Sequence, residues 1–137
     1  MKIVKIDHIG IAVRALDEID PALRELLAAS GVPHEEVVED QGVKTTSYRA
    51  GESGLEFLET LDEENGPVAK YLAKRGPGLH HVCLRVDDLE ETLAHLKERG
   101  VQLIDEKPRL GAGGCRIAFI HPRSAGGILI ELSAPAS

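Results

Sequence analysis

The feature that most constrains this chain is a histidine that occurs twice in the same local setting. Asp7-His8-Ile9-Gly10-Ile11-Ala12-Val13 is echoed by His80-His81-Val82-Cys83-Leu84-Arg85-Val86, with His81 lying 73 positions after His8 in a chain of 137. An acidic stretch follows each copy, Leu16-Asp17-Glu18 in one case and Asp87-Asp88-Leu89-Glu90-Glu91 in the other. Each half later carries a glutamate inside an apolar run, Glu56 in Leu55-Glu56-Phe57-Leu58 and Glu131 in Ile130-Glu131-Leu132. The interval from His to Glu is 48 positions in the first half and 50 in the second. A repeat that carries one His and one Glu per copy points to two modules with a metal site built from both.

The order of elements supports the repeat. Residues 3–13 alternate and are β-branched, which predicts a strand. A helix is expected at about 17–30, started by Asp17 or Asp20-Pro21 and stopped at Ser30-Gly31, with Leu23, Leu26 and Leu27 at helical spacing. Strands follow near 34–40, 43–50 and 54–60, separated by Gln41-Gly42 and by Gly51-Glu52-Ser53-Gly54. A short helix near 67–75 leads to a strand at 79–86 and a helix at 88–99. Strands near 101–106, 115–121 and 127–132 complete the second half. The expected class is therefore α+β: two tandem βαβββ modules, 1–66 and 78–137, joined by a helix near 67–77. With no linker rich in Pro or Ser between them, they are expected to pack as a single domain.

Strand parity assigns the faces. Ile9, Ile11 and Val13 share one side of the first strand and suit a helix; His8, Gly10 and Ala12 share the other. Val82, Leu84 and Val86 oppose His81, Cys83 and Arg85 in the same manner. Ile128, Ile130 and Leu132 leave Glu131 and Ser133 on the opposite side, and Glu56 falls with Leu58 and Thr60. All four candidate ligands project away from the helices, so a curved mixed sheet would gather them in a cleft. Two imidazoles and two carboxylates suit Zn, Co, Ni, Mn or Fe as divalent ions, not Ca²⁺ or a thiolate-seeking ion.

Composition narrows the partners. The net charge of −7 argues against nucleic acid and acidic membranes. Aromatics make up 3% of the chain, with no Trp, so a stacking platform for single strands is not expected. Cys83 and Cys115 show no C-x-x-C spacing, and no signal segment or long apolar stretch is present; the expected location is cytoplasmic.

On these residues the chain resembles the vicinal oxygen chelate superfamily and, within it, the methylmalonyl-CoA epimerase family. The likeness rests on the two His segments, on Gln41-Gly42-Val43 and on Gly78-Leu79-His80-His81. It continues through Pro108-Arg109-Leu110-Gly111-Ala112 and closes on the run from Phe119 to Leu132, which contains His121-Pro122-Arg123-Ser124-Ala125-Gly126-Gly127. The resemblance implies metal ligands at His8, Glu56, His81 and Glu131, cobalt as the favoured ion, an acyl-CoA substrate and a homodimer. It implies epimerisation at C2 by two acid/base groups on opposite faces of that carbon. One is Glu131; the other lies just before Gln41-Gly42, where the family has a glutamate and this chain has Asp40, preceded by Glu39. Asp40 is expected to take the role although its reach is shorter by roughly 1.5 Å, one methylene.

His80, Gly111, Gly113 and Arg116 are candidate substrate contacts, and Gly111 to Gly114 would serve either as a lid or as an ordinary loop. Lys70, Lys74, Arg75, Lys107, Arg109 and Arg123 are candidate phosphate partners among which the sequence does not choose. Two rival readings stand beside the epimerase: a glyoxalase-type isomerase using the same His/Glu set, and a non-catalytic small-molecule-binding relative.

Overall fold

The computed structural model describes residues 1–136. In chain order the elements are β1 (Ile3–Ala12), α1 (Pro21–Ala28), β2 (His34–Val38), β3 (Val43–Ala50), β4 (Ser53–Thr60), α2 (Pro67–Arg75), β5 (Gly78–Val86), α3 (Leu89–Glu98), β6 (Arg109–Leu110), β7 (Arg116–Ile120) and β8 (Ile130–Ala134). They fall into two compact units. The first is His8–His80; the second joins Met1–Asp7 to the chain from His81 onward.

In the first unit the strand order is β2-β3-β4-β1. β1 runs parallel to β4, while β2–β3 and β3–β4 are antiparallel. Ile11 and Val13 pack with Leu55, Phe57, Tyr48, Ile19 and Leu27 to form its core. The Tyr48 and Phe57 rings meet edge to face at 6.0 Å, a preferred aromatic arrangement. Asp20 caps α1 by accepting from Ala22 N–H at 2.8 Å, and Pro21 occupies the first helical turn, where its missing N–H costs nothing.

The second unit repeats that plan with the order β5-β8-β7-β6, again with one parallel pair, β5 with β8. β6–β7 and β7–β8 are antiparallel. Val86, Leu89, Leu93, Ala118, Leu132 and Ala134 form its buried core. Asp88 caps α3 by accepting from Glu91 N–H at 2.9 Å. Met1–Asp7 is tied to this unit by Lys2 N–H to Asp87 Oδ1 at 2.9 Å and by an Arg85–Asp7 ion pair at 3.1 Å. Each unit thus contains the order βαβββ, although in the second the strand that follows α3 is β6 and not one at 101–106. Among the described residues no helix is long and apolar enough to cross a membrane.

Four local expectations are corrected. The helix expected at about 17–30 spans Pro21–Ala28: of its two start signals Asp20-Pro21 is the one used, and residues 16–18 form a separate 3₁₀ turn. Leu27 reaches the core, but Leu23 and Leu26 are 41% and 69% exposed, so the helical stripe is narrower than its three leucines suggest. The strand expected at 101–106 shrinks to one bridge, Leu103 with Ile120, because Ser124 Oγ takes the Gln102 N–H and the Asp105 carboxylate takes the Phe119 N–H. The strand expected from 127 begins at Ile130, since Gly126 and Gly127 adopt positive φ and extend the turn.

Candidate metal centre

The first unit places His8 through β1 and Glu56 through β4. In their register Gly10 lies beside Glu56 and His8 beside Gly54. The His8 imidazole Nε2 stands 3.8 Å from Glu56 Oε1. The second unit does the same with β5 and β8: Cys83 lies beside Glu131, and His81 Nε2 stands 3.0 Å from Glu131 Oε1. In both units the glutamate faces the residue two positions after the histidine. The duplication therefore extends from sequence spacing to strand register.

All four side chains lie away from water. Glu56 is 7% exposed, His81 4% and Glu131 3%, and the His8 side chain is 12% exposed. Carboxylates are rarely buried this deeply unless paired or coordinated to metal. Neutral imidazole nitrogen and carboxylate oxygen are the donors that borderline divalent ions take. Both separations, 3.0 and 3.8 Å, are less than twice the donor-to-ion distance of about 2.1 Å, so each pair could hold one ion between its two atoms.

Around the second pair, Arg85 and Ser133 extend the same sheet face. Arg85 Nε donates to Ser133 Oγ at 3.2 Å, while its terminal nitrogen reaches Asp7 Oδ1 at 3.1 Å and Cys115 Sγ at 3.5 Å. Phe119, paired with Glu131 across β7 and β8, meets the His81 ring edge to face at 5.8 Å. Sequence reasoning missed Phe119 as a neighbour of the site. Its parity with Glu131 was available only once the β7–β8 register was known.

Asp40 lies in a 3₁₀ turn, Glu39–Gln41, that ends β2, and Gly42 follows with φ +67°. Both Asp40 and Glu39 are exposed. Val38 pairs with Val43, and Val43 with Thr60, on the face of the first unit that carries Glu56. His80 is half-buried, with its ring 5.2 Å from Tyr71. Gly111 is buried and its N–H donates to Cys115 O at 2.8 Å, whereas Gly113 is exposed. Arg116 pairs with Ala134, which puts it on the face opposite Glu131, and its guanidinium binds Glu90. Glu59 is also on the face opposite Glu56, where it accepts from Leu16 N–H at 2.8 Å.

Residues 7–119 match the model of the Glyoxalase/Bleomycin resistance protein/Dioxygenase superfamily, and the chain belongs to that superfamily. Within it, the chain is similar to methylmalonyl-CoA epimerases. The epimerase from Mycobacterium tuberculosis shares 38% identity with a TM-score of 0.89, covering 98% of this chain and 90% of that one. A methylmalonyl-CoA epimerase in complex with methylmalonyl-CoA and NH4+ shares 36% identity with a TM-score of 0.86, covering 99% and 97%. The uncharacterized protein YqjC of Bacillus subtilis (strain 168) is 41% identical over 96% of this chain and 92% of its own length.

Proposed function

We propose that this chain epimerises methylmalonyl-CoA at C2 and that one divalent ion, held by His8, Glu56, His81 and Glu131, is required. The observation that carries the reading is the repeated pair: a buried histidine and glutamate set by the same register in each unit. Similarity to an epimerase that binds methylmalonyl-CoA supports the substrate. Cobalt is the ion favoured by the family likeness, and a homodimer belongs to the same reading.

The proton at C2 is acidified by the thioester and the carboxylate that flank it. When bound, the ion supplies Lewis acidity toward the charge that builds on the thioester oxygen as this proton leaves. Glu131 takes the proton from one face of C2, and Asp40 delivers a proton to the other; the roles exchange in the reverse direction. The near-complete burial of Glu131 excludes water from its carboxylate, which strengthens its interactions with neighbouring charge.

The test is incubation of one methylmalonyl-CoA epimer with the metal-loaded protein in D₂O, following the C2 proton by NMR. The expected result is loss of that proton together with appearance of the second epimer. Retention of the C2 proton would leave a binding relative or a different isomerase as the better account.

A further inference from the structure

Phe119 lies against the histidine of the second unit and is itself held by several residues. Ile104 N–H and Asp105 N–H both point to Phe119 O, at 2.9 and 3.3 Å. The Asp105 carboxylate accepts from Phe119 N–H through Oδ2 at 2.9 Å and pairs with Arg109 Nε through Oδ1 at 3.1 Å. Arg109 pairs with Ile117 across β6 and β7, which places it on the sheet face of Phe119 and Glu131. Its guanidinium carbon stands 5.6 Å from the centre of the Phe119 ring, within cation–π range. Phe119 in turn packs against His81 with the rings 83° apart.

We propose that Asp105 and Arg109 are positioning residues that act through Phe119 to hold the His81 imidazole with Nε2 toward Glu131. The second torsion of a histidine is soft and broadly distributed, so backbone placement alone leaves the ring orientation open. Phe119 is only 7% exposed and is fixed at both its N–H and its C=O, which makes its ring a rigid wall for His81. Arg109, anchored by Asp105, holds the Phe119 ring in place. Groups that orient a ligand from outside the coordination shell commonly change metal affinity by 10- to 100-fold when removed.

The inference rests on His81 being a metal ligand, and the experiment separates the two claims. Co²⁺ affinity is measured by calorimetry for the full-length protein, for Arg109→Met, for Arg109→Lys and for Asp105→Asn, with melting temperature recorded for each. Arg109→Met and Asp105→Asn are expected to weaken Co²⁺ by about tenfold. Arg109→Lys, which keeps a cation over the ring and a partner for Asp105, is expected to stay within about threefold of the parent. Unchanged Co²⁺ affinity in Arg109→Met, or no rescue by Lys, would overturn the proposal. The His81 ring signals of the metal-free protein give a second reading by NMR: they should broaden or shift in Arg109→Met and return in Arg109→Lys. If the parent protein binds no Co²⁺, the metal assignment fails, and these ring signals still decide the positioning claim; identical signals in Arg109→Met refute it.

Discussion

The Nε2 of His81 lies 3.0 Å from Oε1 of Glu131, with both side chains almost wholly buried. That relationship ties a proposed metal ligand to the group proposed to move the proton. Changing one is therefore expected to disturb the other, and the predictions follow from separating the two duties.

Glu131→Gln keeps the shape of the side chain but removes its capacity to take a proton. Turnover should fall by about 10²- to 10⁴-fold, with the fold intact by circular dichroism. Metal affinity should weaken as well, because an amide oxygen is a poorer donor than a carboxylate. A variant that keeps its turnover would move the base to another residue.

Asp40→Asn separates the two faces of C2. It should abolish epimerisation while metal binding is retained, since Asp40 is not among the proposed ligands. Deuterium should still enter the epimer that Glu131 deprotonates, without inversion. Mass spectrometry of the thioester pool distinguishes exchange from inversion, and full inversion by the variant would remove Asp40 from the mechanism.

Stability should follow burial. Leu89 is 1% exposed in the core of the second unit, so Leu89→Ala should cost about 2–5 kcal/mol in urea unfolding. Leu23, on the open side of α1, is 41% exposed, and Leu23→Ala should stay within roughly 0.5 kcal/mol.

Asp88→Ala removes the oxygen that accepts Glu91 N–H at the start of α3. The expected loss is about 1 kcal/mol, read from the same unfolding curves. Asp88→Ser should recover most of it, because serine also caps.

The repeat, the order of elements and the faces of His8, Glu56, His81 and Glu131 were legible in the sequence because strand parity is strict. What parity does not encode is which strand lies beside which and in what register. The Phe119–Glu131 neighbourhood therefore came only with the β7–β8 pairing. The strand expected at 101–106 failed because side chains, Asp105 and Ser124, supplied hydrogen bonds that a ladder would otherwise make. Nor does sequence separation reveal that Arg116 meets Glu90, on α3, 26 positions earlier in the chain. The leucines of α1 had the right period, but periodicity does not say how wide a stripe the sheet will cover.

In the proposed function one ion serves both His/Glu pairs and epimerisation needs it. Protein stripped by a chelator and titrated with Co²⁺ should be followed by the rate of deuterium entry at C2 of methylmalonyl-CoA. Negligible exchange is expected before addition, then a linear rise and saturation at one ion per chain. Full exchange in the stripped protein, or saturation at two ions per chain, would contradict it.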